Sequence, residues 1–197
     1  RIDPSVSNII DTFILTRSYD EAYRLYLSEG AEEPTVLSSD NLRIKYGPTL
    51  SQIKSISDEI IYHPVRYKLL FGGKAEEKFQ AVFKVVKNPD NLINNNEWKV
   101  KVVTAINLFF DISNWDFGDT FYFSELATYI LNQVSPDISN IVIVPRQASQ
   151  TFGSLFEIKS RPDEIFISGA TVDDINIVTS ITANEIGVNA AEIVTRT

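Results

Sequence analysis

The stretch from Trp98 to Arg146 constrains the fold of this chain more than any other part of its sequence. It begins with apolar residues at helical spacing, which continue as far as Phe110 and predict an amphipathic helix. Strand-like alternation also fits its first residues, but the helical match is longer. The turn around Gly118 that follows is short. Because no loop in this stretch is long enough to hold an active site, its pattern predicts architecture and not chemistry.

The second half of the stretch predicts three more elements in close succession. Residues 121–123 are aromatic and indicate a short strand. Ser124 is a residue type that commonly caps a helix, and the helix predicted after it continues to Val134. Residues 141–144 are four consecutive apolar residues before Pro145. Such a run predicts a strand that is buried on both faces.

The amino-terminal part predicts a strand followed by a helix. Residues 8–16 are rich in β-branched and apolar side chains, which is typical of a strand buried on at least one face. Ser18 and Glu21 have the spacing of a capping box, which predicts the start of a helix. Gly30 stands where a glycine in the left-handed conformation would end that helix.

The following region predicts a loop and then a second helix. Residues 31–48 are polar and contain two prolines, which favours irregular structure. Thr49 and Gln52 form another capping box. The apolar stripe of the helix predicted from it includes Ile60, and the helix must end before Pro64.

Two strands are predicted at residues 65–71 and 79–87, and the glycines between them predict a hairpin turn. After residue 147, short β-like runs replace helical periodicity. We therefore predict an α+β fold in which mixed sheets pack with about four helices. The predicted domains are an α+β domain at 1–147 and a β-rich carboxy-terminal subdomain at 148–197.

Composition disfavours several classes of partner. The chain has 18 Lys and Arg residues against 26 Asp and Glu residues, which gives a net charge of −8. Nucleic acids and anionic membranes attract clustered basic residues, and here the basic residues are few and scattered. The absence of cysteine excludes disulfides and thiolate nucleophiles. Because the sequence starts at Arg1 and contains no methionine, we expect a piece of a longer protein.

No set of residues satisfies the requirements of a known catalytic or metal site. His63 is the only histidine, so a structural hydrogen bond at a turn is the favoured interpretation. The segment 72–74 lacks the Ser or Thr that follows the lysine of a phosphate loop. The oxygen-bearing residues of the 111–119 turn do not have EF-hand spacing, and turn formation explains them equally well. They are Asp111, Asn114, Asp116 and Asp119. We therefore predict no catalytic residue, no metal ligand and no cofactor.

Trp115 and Phe117 are the candidate interface residues of the chain. Both lie in the turn between two predicted elements, where an aromatic side chain can anchor a partner protein. The alternative for Trp115 is that it folds back onto the helix that precedes it. The sequence alone leaves both interpretations open.

Two segments carry a resemblance to a known family. They are 8–20 (NIIDTFILTRSYD) and 118–126 (GDTFYFSEL). The chain resembles the carboxy-terminal part of the baseplate wedge protein of T4-like contractile-tailed phages, a relative of the baseplate J proteins. In that family a helix leads into a glycine-containing turn, a short strand, a Ser-Glu-Leu helix opening and a strand near a proline. The order is the same here; the resemblance is strongest at 98–146 and weakest after residue 150.

The resemblance implies an architectural role without catalysis. Such proteins pair with copies of themselves and with other baseplate wedge proteins, and the pairs form a ring around the hub of the tail. It implies a virion protein of the tail baseplate, assembled in the host cytoplasm, with no nucleic acid, membrane or small-molecule substrate as partner. The long amino-terminal region of the family is missing here. The alternative is a binding module or a hydrolase acting on carbohydrate, which exposed aromatic residues and abundant carboxylates would suit.

Overall fold

The computed structural model describes residues 8–50, 59–88, 94–147, 152 and 156–178. Within them, helices and mixed sheets form an α+β fold, which confirms the predicted fold class. In chain order the elements are β1 (Ile9–Ile14), α1 (Arg17–Glu29), α2 (Ser39–Leu50), β2 (Glu59–Pro64), β3 (Arg66–Leu70), β4 (Ala81–Lys87), α3 (Asn95–Phe109), β5 (Thr120–Tyr122), α4 (Phe123–Val134), β6 (Ile138–Pro145), β7 (Glu157–Lys159), β8 (Glu164–Ser168) and β9 (Ile175–Val178).

Strands β2 and β3 form one nearly continuous strand that changes its partner at Val65. Before this residue, β2 pairs in parallel with β1, and the last bond is the Val65 N–H donating to the Ile14 carbonyl at 2.9 Å. After it, β3 pairs in parallel with β8, and the Arg66 N–H donates to the Asp163 carbonyl at 3.0 Å. One strand therefore connects the amino-terminal and carboxy-terminal parts of the described chain.

The strands after residue 147 all pair with strands that precede it. β9 adds in parallel to β4, and β4 also pairs antiparallel with β6. β7 pairs antiparallel with β5, and β8 pairs with β3. Strands β7, β8 and β9 lie within the predicted β-like runs, and each shares a sheet with a strand from before residue 147. The division into two domains stays a prediction. Residues 179–197 of the predicted subdomain lie outside the described residues.

Two hydrophobic clusters fill the interior. The larger one lies between helices α3 and α4 and the sheets, and it includes Trp98, Phe83, Phe121 and Phe166. The smaller one forms where α1 packs on β3 and β8, and its members are Tyr19, Tyr23, Val65, Tyr67, Ile165 and Ile167. The stretch 98–146 contributes 12 of the 22 buried side chains of the larger cluster, from α3 and its carboxyl end, β5, α4 and β6.

The predicted strand and helix at the amino terminus are confirmed, but the predicted helix cap is wrong. Thr16 is the N-cap of α1, because its backbone is extended and its hydroxyl accepts the Tyr19 N–H at 3.3 Å. Glu21, which the capping box would have used, forms an ion pair with Arg17 at 2.9 Å instead. At the other end, Gly30 has a φ of 71° and ends the helix as predicted.

Two predictions for the region before β2 are wrong. Part of the loop predicted at 31–48 is helix α2, in which only Leu42 is buried and Pro48 lies in the last turn. So little of this helix faces the interior that its sequence has no apolar periodicity. Ile60 belongs to β2 and not to a helix, and Pro64 ends that strand. Residues 51–58, where most of the second predicted helix falls, lie outside the described residues.

The predicted hairpin between β3 and β4 does not form, although both strands are present. The Phe71 N–H donates to the Phe79 carbonyl at 3.1 Å, but no strand ladder continues from this bond. β3 pairs with β8 and β4 pairs with β6 and β9, so the two strands belong to different sheets. Local alternation identified the strands, whereas pairing was decided by segments far along the chain.

The structure corrects two details between β5 and β6. Helix α4 starts directly after β5, so its N-cap is Tyr122, and Ser124 lies inside the first turn. Strand β6 pairs with β4 alone among the described strands. Of the four apolar residues at 141–144, only Ile141 and Val144 are buried, which contradicts the prediction of a strand buried on both faces.

A close contact between two glycines lies where β3 and β8 end. Gly72 has a φ of 74°, and a Cβ atom there would lie 1.9 Å from the carbonyl oxygen of Gly169. The Gly169 N–H donates to the Leu70 carbonyl at 2.9 Å, so the two segments of the chain are held together at this point. Both the conformation and the space therefore require glycine at position 72.

We predict that Gly72→Ala lowers the free energy of unfolding by at least about 2 kcal/mol, because it adds a left-handed alanine and a backbone clash. Gly73→Ala is the matched control, since a Cβ atom there meets nothing within 4 Å and the change should stay within about 0.5 kcal/mol. Urea denaturation followed by circular dichroism measures both. Equal stability of Gly72→Ala and Gly73→Ala would contradict the close contact between Gly72 and Gly169.

Candidate interface at the 111–119 turn

The acidic turn, residues 111–119, uses its carboxylates to shape its own backbone. The Asp111 carboxylate accepts the Ser113 hydroxyl at 2.5 Å and the Ser113 N–H at 2.9 Å, and these hydrogen bonds hold the pKa of Asp111 below its usual value. Asp119 accepts the Asp116 N–H at 2.8 Å. These bonds explain the spacing of the acids by turn formation, which was the interpretation favoured over a calcium loop.

The turn is attached to the carboxy-terminal strands. The Gly118 N–H donates to the Glu164 carbonyl at 3.2 Å, and the Ser160 N–H donates to the Asp119 carbonyl at 3.0 Å. Gly118 itself has a φ of 84°, so a glycine is favoured at this corner. The turn is therefore held at its carboxyl end by hydrogen bonds to the backbone of the fold.

Trp115 folds back onto the protein interior. Its indole N–H donates to the Phe109 carbonyl at 2.9 Å, and its ring stacks on Phe110 with centroids 5.6 Å apart and an interplanar angle of 9°. The centroid of the Phe166 ring lies 5.0 Å from that of Trp115, in an edge-to-face arrangement. Trp115 contacts both hydrophobic clusters, so it contributes to the packing of the turn.

Phe117, in contrast, is 40% exposed at the outside of the turn. Beside it lies an apolar groove of about 420 Å³, lined by Phe13 and Leu15 of the first strand region, by Ile112 and Trp115 of the turn, and by Ile165. Trp115 and Phe117 both line this groove, but Trp115 is partly buried against the two hydrophobic clusters and Phe117 is exposed. Their contact with a partner protein stays a prediction.

His63 has the structural hydrogen bond that was expected of it, although it lies in β2 and not in a turn. Its Nε2 atom is 2.7 Å from Asp11 Oδ1 on the neighbouring strand β1. The imidazole also stacks on Phe13, with ring centroids 4.9 Å apart. These contacts link β1 to β2.

Lys74 gives the glycine segment at 72–74 a structural role. The Lys74 ammonium donates to the carbonyl of Tyr26 and lies 3.5 Å from the carbonyl of Leu27, both near the end of α1. It also lies 4.3 Å from the centre of the Tyr26 ring. Carbonyls at a helix carboxyl end lack partners within the helix, and a cation is favourable there. The sequence did not indicate this role.

A second surface feature, which sequence reasoning missed, is a pocket of about 280 Å³. We call it the lysine pocket; its lining includes Lys68, Lys78, Lys159, Phe79, Phe152 and Glu157. Its members come from three separate parts of the chain. Local pattern gave no signal beyond the neighbouring Lys78 and Phe79, because the pocket exists only once β3 and β7 have been brought together.

Glu164 holds the inner end of this pocket in place. Its carboxylate accepts Lys68 at 3.1 Å and the Arg161 N–H at 2.9 Å, and it is largely buried. Burial opposes the ionisation of Glu164, but the Arg161 N–H and the Lys68 ammonium outweigh it and lower the pKa of this carboxyl group. Lys68 is therefore fixed, whereas Lys78 and Lys159 are exposed at the rim.

No protein-family model matches this chain, and no curated protein matches it either. Among the residues that the structure describes, no three His, Asp or Glu side chains come close enough together to hold a metal ion. In the same part of the chain, no helix has the length and apolar character needed to cross a membrane.

We predict that Trp115→Ala lowers the free energy of unfolding by about 3 kcal/mol, because it removes an aromatic side chain that contacts both clusters. Phe117→Ala, the matched control in the same turn, should cost less than about 1 kcal/mol because its ring is partly exposed. Urea denaturation followed by circular dichroism compares the two without relying on tryptophan fluorescence. A larger loss of stability for Phe117→Ala than for Trp115→Ala would contradict the packing role of Trp115.

We also predict that Glu164→Gln destabilises the protein by about 1–2 kcal/mol at pH 7, since it removes a charged hydrogen-bond acceptor from Lys68. The folded-state pKa of Glu164 is lowered, so its stabilisation is present above the unfolded-state pKa and disappears as the pH falls through the folded-state pKa. The difference between wild type and variant should therefore shrink in acid.

The control for this experiment is Glu76→Gln, because Glu76 pairs with Lys78 on the exposed surface. Removing an exposed pair should change stability by less than about 0.5 kcal/mol at any pH. Chemical denaturation at several pH values measures both variants. A pH-independent difference between wild type and Glu164→Gln would show that the carboxylate charge is not responsible.

Proposed function

We propose that this chain is a structural component of a phage tail baseplate wedge of the T4-like contractile type, and that it acts through protein–protein contacts without catalysis. The proposal begins from the resemblance at 8–20 and 118–126. In the structure these segments form β1 with the start of α1, and β5 with the start of α4. They belong to the framework of the fold, which suits an architectural family signature.

The observation that carries the proposal is the exposed phenylalanine of the acidic turn, whose backbone is hydrogen-bonded to the rest of the fold. Phe117 is exposed, while Trp115, two residues earlier, is partly buried and packed against both hydrophobic clusters. Gly118 and Asp119 are bonded to the backbone of 160–164. A contact residue on a preorganised base loses less conformational entropy when a partner binds, which favours reproducible assembly.

The partners that we propose are other copies of this chain and other baseplate wedge proteins. The proposed location is the virion, at the tail baseplate, after assembly in the host cytoplasm. The net charge of −8 makes nucleic acid an unfavourable partner, and the proposal includes no cofactor and no small-molecule substrate. Contacts in a closed ring use either two-fold or head-to-tail surfaces, and both kinds require surface patches that are the same in every copy.

We predict that gold-labelled antibodies against this chain bind intact phage tails at the baseplate. Electron microscopy of negatively stained tails gives the position of the label, and an antibody against the sheath provides the control for nonspecific binding. Label along the sheath, on the head or on no part of the particle would overturn the proposed location.

A further inference from the structure

The lysine pocket brings three ammonium groups together around an aromatic ring, and each of them is paired with a glutamate. The ammonium groups of Lys68 and Lys78 lie 5.5 and 4.7 Å from the centre of the Phe79 ring. Lys159 lines the same pocket from β7. An ammonium group over a phenyl ring is favourable, and two of them create a local site for an anion beside an apolar surface.

The two rim lysines can change their partners easily. Lys78 pairs with Glu76 at 2.6 Å and Lys159 pairs with Glu157 at 3.3 Å, and both lysine side chains are more than half exposed. Ion pairs on the surface contribute about 0–1 kcal/mol, so an incoming carboxylate can replace either partner at low cost. Lys68 remains bound to Glu164 and keeps the inner end of the pocket fixed.

The acidic turn has the complementary chemistry. Residues 111–119 contain three aspartates and no Lys, Arg or His. None of the ion pairs found in the described part of the chain includes these aspartates. Asp116 is exposed next to Phe117, so the turn presents a carboxylate beside an aromatic ring. The lysine pocket offers ammonium groups beside Phe79 and Phe152.

The two surfaces are directed to different sides of the molecule. Lys68 lines the pocket, whereas Ile165 lines the groove beside the turn. Ile165 is the register partner of Tyr67 in the pairing of β3 with β8, so the two residues lie on the same face of the sheet. Successive residues of a strand point to opposite faces, so Lys68 and Ile165 face opposite sides of this sheet. A contact between turn and pocket therefore joins two copies of the chain.

We propose that the acidic turn of one copy docks on the lysine pocket of a second copy, with Asp116 at the rim lysines and Phe117 against the phenylalanines. This inference rests on the proposed assembly function and adds the surfaces through which the copies meet. The contact is head to tail, because each copy contributes a different patch. Head-to-tail contacts build a ring if the rotation closes and a filament if it does not.

The test uses two charge-reversed variants of the full 197-residue chain. The turn variant is Asp116→Lys with Phe117→Ser, and the pocket variant is Lys78→Glu with Lys159→Glu. All four positions are exposed, so folding should be retained, and circular dichroism checks it. The matched control is Arg17→Glu with Arg43→Glu. Like the pocket variant, it reverses two positive charges, here at exposed sites of α1 and α2.

Sedimentation velocity over a concentration series should show self-association of the wild type that weakens as salt is added. Each variant should raise the dissociation constant at least about tenfold, because attraction is replaced by repulsion. The control pair should not. A mixture of the two variants should associate, since the pocket variant keeps an intact turn and the turn variant keeps an intact pocket.

Wild type that stays monomeric at the highest concentration would overturn the proposed contact, and so would unchanged association of both variants or a mixture that stays monomeric. If the charge reversals disturb folding, the milder pair Lys78→Gln and Lys159→Gln should still weaken association. Failure here is separate from failure of the proposed function, because the baseplate label would still locate the protein in the tail. If the label is absent from the baseplate but self-association is intact, the proposed function fails and the proposed contact stands.

Discussion

The ring of Phe71 is a packing contact that four elements of the fold share. Phe71 follows β3, is fully buried and has a φ of 64°. Its ring meets the edges or faces of the rings of Phe83 and Phe121 from β4 and β5, and of Phe110 and Phe123 at the ends of α3 and α4. A positive φ is unfavourable for a bulky residue, so the surrounding contacts must hold it in place. The aromatic cluster stabilises a backbone conformation that in turn directs the chain from one sheet into another.

The contact of Gly72 with Gly169 extends this arrangement to the carboxy-terminal part. The residue after Phe71 must approach the end of β8 closely, and this is possible only without a side chain. Asp174, fully buried, then pairs with Arg146 and accepts the Thr171 N–H at 2.7 Å, which attaches β9 beside β4. The acidic turn and the lysine pocket both depend on the carboxy-terminal strands, because the turn is hydrogen-bonded to Glu164 of β8 and the pocket takes Lys159 from β7.

Local sequence patterns predicted the elements that have a regular buried face. Helix α3, with Trp98, Val102, Ala105 and Ile106 buried, and strand β4, with alternate residues buried, are examples. Helix α2 could not be predicted, because Leu42 alone is buried and no apolar period results. Strand pairing could not be predicted either. β4 follows β3 closely in the sequence, yet the backbone hydrogen bonds of β3 go to β8.

The same limit applied to the candidate site. Trp115 and Phe117 were found from their position in a turn, whereas the lysine pocket needs residues that only the distant pairing brings together.

The parallel pairing of β3 with β8 has a consequence for the order of events during synthesis. Arg66 pairs with Glu164, so β3 has to wait for nearly the whole described chain to leave the ribosome before its ladder can form. β1 and β2 can pair much earlier, and α3, α4 and the β4–β6 pair can form without the carboxy-terminal strands. Until β8 arrives, β3 has an unpaired edge, which is a site where strands of other chains can add. The arrival of β8 removes this possibility, because it occupies the edge of β3 from Arg66 to Leu70.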